Sequence, residues 1–459
     1  MGIFDEEIQM NDIDRRCAEC HNALKAIWKD YSIYVLTNGT AMVFKGDTQS
    51  ELQRLVITSE LLKHISYEVG FEYDDKLPKV DTIERLIGHI NIQQSPKVIR
   101  TIHPVGQGAM YSERFLDKDG NTTFLTVYDC GSQSPRKLEQ EISSSFSETD
   151  NIDLLFISHL DRDHVNGIKK LQKSVNGINN VVLPLVPSWL KPILLLMADD
   201  EVSEQIMTSP EDFFKDSNII YVRSAWEISD GASLLNLPLQ GDESVEIDSG
   251  TRIKFSTFGI PDWCYIPYNY DEVVRVNDFL VELQNAGIKE SDLSDPCFID
   301  ENRPKLQEIY KKVCGSVNDS SLVVYSGGWH STYSSRYVCD LFRRSRQSAE
   351  ACLYLGDSNL HQTDKNASSI MVSDLKSRLS AVNSHIGTIQ LPHHGSVKNF
   401  HGALFSYGLT PKVYFASCGI KRPYGHPSTL VLGQILFRNE DFCLVTDQCN
   451  STLFQFIKL

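Results

Sequence analysis

The chain has 459 residues, of which 41% are hydrophobic and 10% aromatic, the composition of a globular protein with room for two or three domains. A formal net charge of −16 excludes a broad electrostatic grip on nucleic acid, which needs lysine and arginine against phosphate, but not a nucleic-acid substrate held through metal ions. Eleven scattered cysteines argue against a disulfide framework and for a reducing compartment, taken here as the cytoplasm.

The opening Met1-Gly-Ile-Phe-Asp-Glu-Glu-Ile8 carries acid where an export signal carries base, and no apolar core follows it. Periodicity predicts a helix from Asp12 to Lys29, with Ile13, Cys17, Cys20, Leu24, Ile27 and Trp28 on one face. Cys17 and Cys20 fall on that apolar stripe with no second Cys/His pair nearby, so packing is preferred to a zinc or redox role. Ser32 to Leu36 and Thr40 to Phe44 flank Asn38-Gly39, a hairpin signal. Helices are predicted from Glu51 and over Ile83 to Ile90, and Gln93-Gln94-Ser95-Pro96 reads as an exit linker. Residues 1–96 are therefore read as a small α+β N-terminal domain. It has no reactive constellation and is assigned to a protein partner or to homodimerisation.

From Ile99 the pattern turns to short strands. Gly106 and Gly108 allow close backbone approach, and a hairpin turning at Asp119-Gly120 runs out through Phe124 to Gly131. Ile152 to Ile157 is a buried strand that stops abruptly and delivers His159, Asp161, Asp163 and His164 on a strand-to-helix turn, before a helical pattern begins at Gly167. Imidazole and carboxylate together suit Zn, Mn or Fe, with Zn the first choice and Mn its competitor. Four such groups in one loop exceed what a single ion draws from it, so two divalent metals are expected.

Val181 to Ala198 is the most apolar stretch, but Pro184, Pro187, Lys191 and Pro192 interrupt it before it reaches membrane-spanning length, and no membrane partner is expected. Residues from about 188 to 315 break the strand pattern with Trp, Pro and acidic segments and read as a cap or insertion, including a helix over Asp271 to Gly287. Strands resume at Leu322 to Tyr325, Ala351 to Leu355, Ile386 to Leu391 and Val413 to Ser417. Their ends deliver Asp357, the pair His393-His394, and His426. His103, His330, His361, His385 and His401 have no such frame and are read as structural or surface groups.

This repetition of strand followed by ligand-bearing loop resembles the metallo-β-lactamase superfamily, in particular the ComEC-like branch of competence-protein hydrolase domains. The likeness rests on Val105-Gly-Gln-Gly108, Asp129-Cys-Gly131, His159-Leu-Asp161-Arg-Asp163-His164, Asn318-Asp319, Leu355-Gly-Asp357, Pro392-His393-His394-Gly395-Ser396 and Gly425-His426-Pro427, in the family's order. It implies an α/β fold, the metallo-β-lactamase αββα sandwich, over residues 97–459. It also implies that His159 and Asp161 hold one metal, that Asp163, His164 and His393 hold the other, and that Asp357 bridges them. Asp163, His394 and His426 would then serve catalysis, His394 beside the metals and His426 facing the substrate.

Which of His393 and His394 ligates is open at this point. Asp161 stands where many relatives carry His, and no further histidine appears between residues 165 and 329 to complete the first shell. The function expected is that of a phosphodiesterase or nuclease using a hydroxide held between two cations. The same chemistry would serve a lactone, thioester or amide hydrolase. A third reading is a metal-stabilised interaction component of a bacterial multi-protein defence system.

Overall fold

The computed structural model describes residues 24–28, 31–35, 41–45, 53–68, 71–93, 98–117, 119–186, 191, 194–195, 200–225, 234–239, 244–255, 262–270, 273–314, 321–330, 333–339, 344–361, 369–408, 412–421 and 424–458. The chain divides into two units, Met1–Ser95 and Pro96–Leu459.

In the first unit, β1 (Leu24–Trp28), β2 (Tyr31–Val35), β3 (Ala41–Lys45) and β4 (Gln53–Leu55) form an antiparallel sheet in chain order. Helices α1 (Ser59–Glu68) and α2 (Lys79–Gln93) supply Leu62, Ile65, Ile83, Leu86 and Ile87 to one core with Ile33 and Val43. The helix expected over Asp12 to Lys29, with Cys17 and Cys20, lies mainly outside the described residues. Its last residues are strand β1, paired Leu24↔Val35 through Trp28↔Tyr31. Five apolar-rich residues fit either period, and pairing with β2 satisfies their backbone groups as strand. The helix expected from Glu51 starts at Ser59, because Gln53–Leu55 pairs with β3 instead. The hairpin is present as Val35↔Ala41 pairing, with Asn38-Gly39 outside the described residues.

The second unit opens with β5 (Val98–Ile102), β6 (Gly108–Leu116), β7 (Thr122–Ser132) and α3 (Pro135–Ser145), then β8 (Asn151–Ile152), β9 (Leu154–Phe156), α4 (Arg162–Val165) and α5 (Ile168–Ser174). It continues with β10 (Gly177–Ile178), β11 (Asn180–Pro184), α6 (Glu201–Thr208), α7 (Pro210–Phe213), β12 (Asn218–Val222), β13 (Leu234–Leu237), β14 (Val245–Ile247), β15 (Arg252–Phe255) and β16 (Trp263–Asn269). Helices α8 (Val273–Asn285) and α9 (Pro296–Cys314) precede β17 (Leu322–Gly328), β18 (Ser334–Cys339), β19 (Arg344–Ala349), β20 (Ala351–Tyr354) and α10 (Ile370–Arg378). The chain closes through β21 (Ile386–Gln390), β22 (Val413–Ser417), α11 (Thr429–Phe437), β23 (Asp441–Val445) and β24 (Leu453–Lys458).

Two mixed sheets result, one ordered β14-β12-β11-β9-β7-β6-β5-β24-β18-β19 and the other β13-β15-β16-β17-β20-β21-β22-β23. Their inner faces share a core that includes Tyr111, Phe115, Tyr128, Phe156, Trp263, Tyr265, Tyr354 and Phe415. The outer face of the first sheet buries Val127 and Leu155 against Leu138, Ile142, Ile168 and Leu171 of α3 and α5. The outer face of the second buries Ile389 and Tyr414 against Met371, Leu375, Val431 and Ile435 of α10 and α11. Helix, sheet, sheet and helix are thus stacked, the αββα sandwich expected of an α/β fold.

The stretch 188–315 is not a single cap. Val181 to Pro184 lies in the central strand β11, and β12 to β16 extend both sheets, because their apolar residues Ile220, Val222, Ile253 and Tyr265 complete the inter-sheet core. Only the helical segments stand apart, where Phe279, Leu283, Leu306 and Tyr310 of α8 and α9 make a separate core with Leu194 and Met207. Leu160, inside the ligand-bearing loop, packs against that core. Among the described residues no helix is long and apolar enough to cross a membrane.

Candidate metal centre

Two parallel strands and one bulge aim the site. β9, buried at all three positions, lies between β7 and β11 and points its carboxyl end at Ser158 and His159. The chain then turns into the short helix α4, where the His164 N–H donates to the Asp161 carbonyl at 2.9 Å. On β7 the pairing with β6 slips between Met110↔Cys130 and Tyr111↔Tyr128, so Asp129 is the extra residue of a β-bulge, with φ +55°. A bulge re-aims one side chain. Here it sends the Asp129 carboxylate inward, where it accepts from Ser158 N (2.7 Å), Ser158 Oγ (2.6 Å) and His164 Nδ1 (2.8 Å).

The second sheet supplies the remainder. Asp357 follows β20 and its backbone N–H donates to Ser321 Oγ at 2.9 Å, while Gln390 Oε1 accepts from the N–H groups of Leu355 and Gly356. After β21 comes a tight turn in which His393, His394 and Gly395 all have positive φ (+46°, +56° and +84°). Two consecutive histidines in that region are strained backbone, a feature that concentrates at functional sites. The turn is held by His393 N donating to the Gly356 carbonyl at 3.1 Å.

The side chains converge. His164 Nε2 lies 3.4 Å from Asp357 Oδ1, and His394 Nε2 lies 4.0 Å from the same oxygen and 3.6 Å from Asp163 Oδ2. The other Asp357 oxygen, Oδ2, has His393 Nδ1 at 3.8 Å and His159 Nε2 at 4.0 Å. Two trios of donors are close enough to share an ion, His159/His164/Asp357 and Asp163/His164/His394. His159, His164, His394 and Asp357 are all but fully buried, and the centre opens towards solvent on the side of His393, whose side chain is 28% exposed.

Several polar atoms at the centre have no hydrogen-bond partner. His159 Nε2, His164 Nε2, Asp357 Oδ1 and His393 Nδ1 are buried with no hydrogen-bond partner. His164 Nε2 and Asp357 Oδ1 are close but lack hydrogen-bond geometry. Orphaned buried polar atoms are costly, and four of them around one space fit divalent cations. The opposite ring nitrogens are already committed. His164 Nδ1 goes to Asp129, His394 Nδ1 donates to the Ser417 carbonyl at 2.8 Å, and His159 Nδ1 lies 2.9 Å from Ser158 Oγ and 3.2 Å from Ser321 Oγ. That leaves each Nε2 facing the centre, the arrangement of an imidazole that binds metal once Nε2 is deprotonated.

The electrostatics are consistent with that fit. Burial pushes His159 down, aided by the His164 charge, to about 3. Burial also opposes protonation of His164, but the Asp357 and Asp129 carboxylates outweigh it and hold its pKa well above the usual value. Asp357 is held well below the ordinary carboxylate range, because the His164, His394 and His393 charges overcome its burial.

Two residues that the family resemblance gives as ligands fall outside the two trios. Asp161, expected beside His159, takes the extended N-cap position of α4 and belongs to neither trio, whereas Asp163, two residues on and inside the helix, belongs to one. His394 rather than His393 joins a trio, since the Ser417 carbonyl fixes its ring with Nε2 inward. His393 instead faces the outer oxygen of Asp357. His426 stands one ring further out, 5.7 Å from His393 between centroids. His103 and His385 are buried and hydrogen-bonded away from this cluster, to Glu141 and Ser112 and to the Gly328 carbonyl. Asp129 and the serines at 158 and 321 were given no role from sequence. The only signal for Asp129 was its place in the Asp129-Cys-Gly131 motif.

No protein-family profile and no curated sequence matches the chain. Among solved structures, unliganded yeast PDE1 is similar with a TM-score of 0.32 and 10% identity, covering 79% of this chain and 99% of that one. A likeness of that depth leaves the reading of the site to its geometry.

Proposed function

We propose that this chain is a metal-dependent hydrolase of phosphodiesters, a phosphodiesterase or nuclease of the ComEC-like kind, acting in the cytoplasm. The observation that carries the reading is the set of buried, unpartnered imidazole nitrogens and carboxylate oxygens at His159, His164, His393 and Asp357, joined by Asp163 and His394. Nitrogen and carboxylate donors in this mixture suit Zn, with Mn as the competitor. Two divalent cations would supply a water of lowered pKa and neutralise phosphoryl charge.

The protein's own residues do the rest. Asp129 and the Ser417 carbonyl fix the tautomers of His164 and His394. Asp357 turns Oδ1 towards His164 and His394 and Oδ2 towards His159 and His393, and His164 is common to both trios. His426 is half-buried and kept neutral near pH 7, its pKa lowered to about 4 by burial and by the His393 and His394 charges, so it would meet the substrate as a neutral hydrogen-bonding imidazole. The N-terminal unit is assigned, within this proposal, to a protein partner or a second copy.

The test is metal analysis together with turnover. Purified protein is expected to hold about two metal equivalents and to hydrolyse a chromogenic phosphodiester, with D163A abolishing turnover while circular dichroism is unchanged. Fully metal-loaded protein inert towards phosphodiesters would overturn the reading.

A further inference from the structure

Outward from Asp357 the rim of the site is a series of rings. His393 Nδ1 lies 3.8 Å from Asp357 Oδ2, the His426 ring lies 5.7 Å from His393, and the Tyr424 ring lies 6.3 Å from His426 at only 26° to it. Tyr424 is 58% exposed, so it presents a flat π face to solvent beside the centre. The loop that carries it is anchored just beyond His426, against Gly395. Ser428 N donates to the Gly395 carbonyl at 2.9 Å, and a Cβ on Gly395 would stand 2.6 Å from Pro427. Lys398, exposed on the neighbouring loop, is near enough for its charge to act on His426.

We propose that Tyr424 is a base-stacking platform, with the exposed Lys398 of the neighbouring loop available to a flanking phosphate, so that the substrate is a nucleotide strand with an unpaired base next to the scissile phosphodiester. This rests on the phosphodiesterase reading and names its substrate class. An exposed aromatic ring recognises any base through its π face, and in a duplex that face is covered by the neighbouring base pair, so only an unstacked base can lie on Tyr424. The acidic chain has no need of a long basic groove for such a contact. One ring and one ammonium act locally.

Two esters with the same leaving group isolate the effect. Thymidine 5′-p-nitrophenyl phosphate carries a base, and methyl p-nitrophenyl phosphate does not. In metal-loaded full-length protein, Y424A is expected to lower kcat/KM for the thymidine ester about tenfold more than for the methyl ester, the size of one base–aromatic stack. Y424F, which keeps the ring, is expected to retain the wild-type ratio. In parallel, binding of a fluorescein-labelled oligothymidylate is expected to weaken about tenfold in Y424A and to weaken in K398Q. Equal effects of Y424A on both esters, or an unchanged oligothymidylate Kd, would overturn the inference while leaving the hydrolase intact. If neither ester is turned over, the phosphodiesterase reading fails, and the oligothymidylate Kd still decides the role of Tyr424.

Discussion

At the scale of single residues, the centre depends on atoms that never face its middle. Asp129 contributes no oxygen to either trio, yet it takes the Nδ1–H of His164 at 2.8 Å and both donors of Ser158, the residue whose hydroxyl also touches His159 Nδ1. Removing its charge while keeping its shape loosens the orientation and basicity of two imidazoles together. D129N is therefore expected to weaken metal affinity by about 10- to 100-fold with little change in secondary structure, as competition with a chelating dye would measure. An unchanged affinity would make Asp129 a packing residue only. The sequence made His159, Asp163, His164 and Asp357 legible because ligand types crowd at strand ends. It could not display Asp129, whose inward aim comes from a register slip between two strands distant from the histidine loop in sequence.

At the scale of elements, the site depends on how closely α4 lies against β6 and β7. A Cβ on Gly131 would stand 2.4 Å from backbone atoms of Asp163 and His164, and one on Gly108 would stand 2.7 Å from the Asp163 carbonyl oxygen. Both are backbone contacts, which cannot yield as a flexible side chain would. G131A is expected to destabilise the fold by about 1–3 kcal/mol and to weaken metal binding by displacing α4. G177A, with only Asn151 Oδ1 at 3.7 Å, is the control expected to do neither. Thermal melts and metal titration of the two variants decide it, and normal metal binding in a stable G131A protein would refute the claim. Glycine at 131 was visible in the sequence as part of a short motif. Its reason was not, since the element it admits is contributed from thirty residues further along the chain.

At the scale of the whole molecule, the metal-free protein carries histidines of opposed tendency. His159 and His426 have folded pKa values lowered from 6.5 to about 3 and about 4, burial being the main cause, so both take up protons more readily when unfolded and cost stability as pH falls below 6.5. His164 and His394 are raised against the effect of burial, chiefly by Asp357. Their contribution is complete below 6.5 and is lost as pH rises through their folded values. The Tm in chelator is therefore expected to peak near the ordinary histidine pKa of about 6.5 and to fall on both sides. Added divalent metal is expected to remove the alkaline fall, because deprotonated imidazoles bind it. A flat Tm between pH 6 and 9 without metal would contradict this. What the sequence by itself determined is the alternation of buried strands with ligand-bearing ends, because burial period and residue type are local properties. It did not determine that β12 to β16 belong to the sheets rather than to a cap, that His394 turns inward while Asp161 stays out, or that Tyr424 lies beside His426. The strand membership and the aim of His394 were decided by pairing and packing between segments far apart in the chain, where one backbone bulge or one carbonyl fixes the direction of a ring, whereas the tilt of the Tyr424 ring towards His426 is set within its own loop.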